Sequence, residues 1–183
     1  RRVGTALVIT PSNDPDRVLV GEDVSTPRLE LGKPFGSITL PMGYSKADEG
    51  SEDSILRVLQ QEVFTQMAID RDLPLTLIPV TPQPFMYVDV ADIRVSVYRI
   101  ELSRQLTNNN CFSSYKVRKH NFIPASKLIG GSHNYNFRSG VKEIGMGYQK
   151  YLERQAEGLS LKPIAEKCFL NRELAIAFAR TLA

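Results

Sequence analysis

Tryptophan is missing from this sequence, and cysteine and histidine are almost so, with two of each in 183 residues. Cys111 and Cys168 lie far apart and lack the spacing of a zinc site, so neither a disulfide scaffold nor a Cys/His metal module is on offer. They read as reduced thiols in an intracellular, most simply cytoplasmic, protein, with an organelle left open. Long apolar runs are absent too. Nothing approaches the roughly eighteen consecutive apolar residues of a membrane span, and no membrane partner is expected. There is no internal repeat and no low-complexity tract. Charge of one sign is scarce: the net +3 favours anionic ligands but falls far short of a dedicated nucleic-acid arm. Neither Gly4 nor Gly21 opens a dinucleotide fingerprint, and no serine has a recognisable base. With 42% hydrophobic and 23% charged residues, the chain suits a domain with a substantial core.

The informative stretch is Gly43-Tyr-Ser-Lys-Ala-Asp-Glu49-Gly-Ser-Glu-Asp-Ser-Ile-Leu-Arg57-Val-Leu-Gln-Gln-Glu62. Ser51 can cap a helix with Glu52 and Asp53 in its first turn, and Ile55, Leu56, Leu59, Val63 and Met67 recur on one apolar face. A helix over about residues 51 to 68 is expected. Positions 58, 61 and 62 are three and four apart, one stripe beside the buried face.

The spacing of Gly43, Glu49, Arg57, Leu59 and Glu62 resembles the Nudix box, G-x5-E-x7-R-E-U-x-E-E-x-G-U, with U a bulky aliphatic residue. The departures fall where the family does its chemistry: Val58 and Gln61 replace two glutamates, and Phe64-Thr65 replace the closing glycine and aliphatic residue. The resemblance implies an α/β fold, a Nudix-type α/β/α sandwich around a mixed sheet. It further implies that Glu49 pairs with Arg57 to brace loop on helix, and that Glu62, the Gly43 carbonyl and, weakly, Gln61 contact magnesium or manganese. Glu62, Glu49 and Arg57 would be the catalytic set if the domain is active. One carboxylate and one amide make a poor magnesium site, so a weakly bound ion is the most that is expected. The same three residues read equally well as a scaffold ion-pair cluster.

The remaining segments follow the order of that fold. Val3–Thr10 and Arg17–Gly21 read as strands, and Ser37–Leu40 as a short strand delivering Gly43. Leu75–Val80 and Phe85–Val88 are Pro-punctuated apolar runs, Ile93–Tyr98 alternates, and Tyr115–Ile123 reads as a further strand. Val141, Ile144, Tyr148, Tyr151 and Leu152 follow helical spacing. Residues 1–157 are then the Nudix-like domain. Residues 158–183 are expected to be a connector and helix, capped near Asn171, packed on the domain or on a partner.

Other chemistry is less specific. Lys116, Arg118, Lys119 and His120, interleaved with Phe112, Tyr115 and Phe122, suit RNA or a base, or a solvated strand face. His120 and His133 read as surface or loop histidines, and the Gly130–Arg138 loop could wall a pocket. Arg94, Arg118 and Tyr115 are candidate ligand contacts beside Gly43. Two functions compete. One is a nucleotide- or diphosphate-binding, or protein-interaction, domain with little or no hydrolysis. The other is a metal-dependent hydrolase of nucleoside diphosphate derivatives with a rearranged site, using Asp48, Glu49, Glu52, Asp53 or Glu143 beside Glu62.

Overall fold

The structure, a computed structural model, describes residues 2–130, 136–159 and 162–168. Aliphatic β-branched runs at the start give β1 (Arg2–Pro11) and β2 (Arg17–Asp23). The short β3 (Ile38–Thr39) and β4 (Met42–Tyr44) lead into α1 (Ser51–Val58). A wide turn of π geometry, Leu59–Val63, separates α1 from α2 (Thr65–Ile69). β5 (Met86–Val90), β6 (Ile93–Leu102), β7 (Val117–Pro124), α3 (Val141–Ala156) and β8 (Ile164–Cys168) follow among the described residues.

One sheet has the order β4-β1-β6-β5-β8 and a second the order β3-β2-β7. The first is mixed: β1 runs parallel to β6 from Arg2 opposite Ile93 to Pro11 opposite Leu102, and β5 runs parallel to β8, whereas β4 is antiparallel to β1 and β5 to β6. Two-residue alternation sends Leu7, Ile9, Tyr98, Ile100 and Leu102 to one face, where they bury Ile55, Val58 and Leu59 of the α1 segment. Ala6, Val8, Val95, Val97, Met86 and Val88 point the other way, onto Val141, Ile144 and Tyr148 of α3. The expected α/β/α sandwich is present, with the sheet between those two helices.

Several local expectations are corrected. The helix read over residues 51 to 68 is not continuous: Phe64, at φ −125° and ψ 43°, breaks it and forms a bridge with Ser113. Gly50, not Ser51, occupies the cap, and the Ser51 hydroxyl instead receives the Tyr98 hydroxyl at 3.0 Å. Val58, placed beside the core by its spacing, is inside it at 3% exposure, while Leu56 is only half-buried. Leu75–Leu77 is a single 3-10 turn, and Leu75 and Val80 are exposed. The connector expected after residue 158 contains β8, which pairs parallel with β5 and is tied to α3 by Lys150 and Glu166 at 2.7 Å. The helix expected near Asn171 lies outside the described residues. Among the described residues no helix is long and apolar enough to cross a membrane.

Candidate functional site

The loop between β4 and α1 folds back on the helix through one carboxylate. Glu49 accepts hydrogen bonds from the Lys46 backbone N–H at 2.9 Å and the Ser54 hydroxyl at 3.0 Å, and its Oε2 pairs with the Arg57 guanidinium. Both side chains are mostly shielded, at 12% and 21% exposure, so the pair is a brace within the fold rather than a surface contact. This is the ion pair that the resemblance to the Nudix box implies.

One turn later the winding changes. Phe64 donates its N–H five residues back to Leu59 at 2.8 Å, a π-type bond, and the displaced carbonyls are taken by side chains. Thr65 Oγ1 donates to Gln60 O at 2.6 Å, Ser114 Oγ to Gln61 O at 2.6 Å, and His120 Nε2 to Glu62 O at 2.7 Å. His120 reaches inward because β7 bulges against β2. Val20 pairs with Asn121 but Glu22 with Arg118, so two β7 residues oppose Gly21, and Lys119 takes a positive φ of 56°. A Cβ on Gly21 would stand 2.4 Å from Val117 Cγ1, so only glycine fits there. His120, read from sequence as a surface or loop histidine, is half-buried, stacks on Phe112, and has its pKa lowered by burial. His133 lies outside the described residues.

The turn presents Gln61 and Glu62 to a cavity of about 570 Å³. Its walls include Gly43 and Tyr44 of β4, Arg57 of α1, Asp23 of β2, Lys33 and Lys116 from loops, and Arg138 ahead of α3. Glu62 is 8% exposed, and burial pushes its carboxyl up to about 7, Asp23 adding to the rise while Lys116, Arg138 and Lys33 oppose it. Gln61 Oε1 accepts a hydrogen bond from Lys116 Nζ at 3.2 Å. Asp23, 5% exposed, faces Lys33 Nζ at 3.8 Å and an Arg138 terminal nitrogen at 3.6 Å, and it accepts from both the backbone and hydroxyl of Ser25. Burial lowers the pKa of Lys33 and of Arg138, and the Arg138 Nε is buried without a hydrogen-bond partner among the described residues.

The sequence-derived candidates thus separate. Gly43, Arg57, Gln61 and Glu62 meet on one cavity wall, with Glu49 behind Arg57. Arg94, Arg118 and Tyr115 are not among the lining residues. Arg94 lies over the Tyr87 ring at 4.7 Å, Arg118 and Lys119 both pair with Glu22, and Tyr115 is 82% exposed. Asp48, Glu52, Asp53 and Glu143 are likewise outside the lining. Asp23 and Lys33 are not legible as site residues in the sequence, because an isolated acid at a strand end and a lysine in a polar loop carry no motif.

No family model matches the sequence, and no curated protein matches it. Solved structures do match its backbone. A Nudix hydrolase from Nitrosomonas europaea superposes with a TM-score of 0.54 at 13% identity, over 91% of this chain and 78% of the other. An Ap4A hydrolase from C. elegans, solved as a binary complex, gives 0.54 at 12% identity over 86% and 99%. The fold is that of the Nudix hydrolases. An ADP-ribose pyrophosphatase from Streptococcus suis, with a TM-score of 0.53 at 10% identity over 90% and 98%, extends the likeness. At such identities the shared property is the Nudix fold, and activity has to be argued from this chain's own site.

Proposed function

We propose that this chain is a Nudix-fold binding domain whose cavity takes a nucleotide or other diphosphate-containing ligand, with little or no hydrolysis. The observation that carries the reading is the content of the box stripe. Val58 is packed in the core under Gly43, where a Cβ on the glycine would be 3.7 Å from a Val58 methyl, and the Gln61 amide oxygen already accepts from Lys116. Hydrolysis of a diphosphate at a Nudix box relies on carboxylates that fix metal ions and activate water. Glu62 alone remains of that set. Among the described residues five basic side chains, Arg28, Lys33, Arg57, Lys116 and Arg138, meanwhile line the same cavity against two acids, Asp23 and Glu62, a balance that attracts an anion.

The named activities of the structural neighbours supply the ligand panel: ADP-ribose and diadenosine tetraphosphate, with nucleotide sugars added. Calorimetry should detect binding of at least one, while the same samples, with magnesium or manganese, release no phosphate or nucleoside monophosphate. The hydrolase reading has one observation in its favour, a Glu62 carboxyl poised at about 7, where a general base works best. Turnover on the order of 1 per second or faster, abolished by Glu62→Gln, would establish it in place of the binding reading.

A further inference from the structure

Magnesium asks for near-octahedral oxygens and at least one or two carboxylates. The box supplies the Gly43 carbonyl, the Glu62 carboxylate and an amide oxygen whose neighbour is an ammonium group. Among the described residues no three His, Cys, Asp or Glu side chains gather as a metal-binding group. Asp23, the cavity's second carboxylate, is already held by Lys33 and Arg138, and the Gln61 amide by Lys116, so the donor set is a poor fit for a divalent ion. What converges on the box is positive charge. Lys116, Lys33 and Arg138 come from three separate segments and all act electrostatically on Glu62.

We propose that the cavity grips the phosphate groups of its ligand directly, through Lys33, Lys116 and Arg138, with no divalent cation. The inference rests on the binding reading above and specifies how that binding is achieved. Three features support a built anion site. Lys116 Nζ lies 3.2 Å from Gln61 Oε1 on the box turn, and its backbone is fixed on both sides, its N–H to Ser114 Oγ at 3.0 Å and its carbonyl to the Val24 N–H at 2.8 Å. Arg138 lines the cavity and keeps a buried Nε–H with no acceptor among the described residues, a donor that a phosphate oxygen would satisfy with a charge-assisted bond. Lys33 and Arg138 share the single carboxylate of Asp23, so their combined charge exceeds that of their partner. By contrast, Arg28 and Arg57 are matched by Glu30 and Glu49, which lie outside the lining. Leu31, Ile93 and Val95 add apolar wall for the moiety attached to the phosphates.

The test is calorimetric titration of the full chain with ADP and with inorganic pyrophosphate, each in excess EDTA and again with millimolar magnesium. ADP should bind in EDTA, with an affinity that magnesium changes by less than about threefold. Lys116→Gln, at an exposed position, should weaken it by about tenfold or more, without rescue by magnesium. Lys33→Gln should act in the same direction, while Lys119→Gln, outside the cavity, should leave it unchanged. Melting curves confirm that each variant is folded. ADP binding that appears only with magnesium and ignores Lys116→Gln would overturn the metal-free grip while leaving a binding domain. Failure of both probes and of ADP-ribose to bind in either buffer would overturn the binding reading itself.

Discussion

Burial holds Glu62 at about 7, against 4.5 for an unperturbed glutamate, so between those values the folded protein binds a proton that the unfolded chain has lost. The stability this group permits is fully present below about pH 4.5 and is lost as pH rises through about 7, on the order of 3 kcal/mol in all. Glu62→Gln removes the titration. Denaturant melts at about pH 5 and about pH 8 should therefore show a smaller stability difference in the variant than in the parent. A variant losing stability as steeply as the parent over that interval would detach the effect from Glu62. The Glu49–Arg57 brace makes a separate prediction: Arg57→Ala should destabilise by about 1–3 kcal/mol, because it strands a mostly buried carboxylate. Equal denaturation midpoints would remove the brace from the account. That pair was legible in the sequence because its members are eight residues apart in one motif. Asp23, Lys33 and Arg138 were not legible as a cluster, since only the tertiary fold gathers them.

At the scale of elements, the box helix is held by its neighbours as much as by its own winding. Helical periodicity located α1 correctly, but it could not show the change of pitch after Val58, which depends on acceptors being capped from β7 and the loop before it. Ser114→Ala leaves the Gln61 carbonyl without its hydroxyl donor and also removes the bonds from the Lys116 and Val117 N–H groups. A loss of about 1–3 kcal/mol in denaturant melts is expected. Restoring the box is a sharper probe of the same element. Val58→Glu with Gln61→Glu puts a carboxylate in the core at position 58 and should lower the melting temperature in EDTA. Magnesium or manganese should recover part of that loss in the double variant and none in the parent. A double variant indifferent to metal would mean that position 58 no longer faces an ion site at all.

On the scale of the whole molecule, the order of sheet pairings sets when the sandwich can be completed. β5 is flanked on one side by β6, its hairpin partner, and on the other by β8, which starts about 78 residues further along the chain. The sequence concealed this strand: Ile164-Ala-Glu-Lys-Cys168 is short and mixed, and its place in the sheet comes from β5 and from the Lys150 anchor. On the ribosome, most of the domain emerges before β8 exists. Until then the Met86–Val90 edge offers unpaired peptide groups to any other nascent or unfolded chain. The vulnerable interval ends when Ile164 donates its N–H to Phe85 O at 2.9 Å. Glu166→Pro, which places a ring two residues beyond that donor and removes the Lys150 partner, should reopen the edge in the finished protein. Light scattering on mild heating should then rise well before the parent's does, and the variant should accumulate in the insoluble fraction during expression. Equal solubility and equal scattering onset would show that this edge is guarded by something other than the late strand.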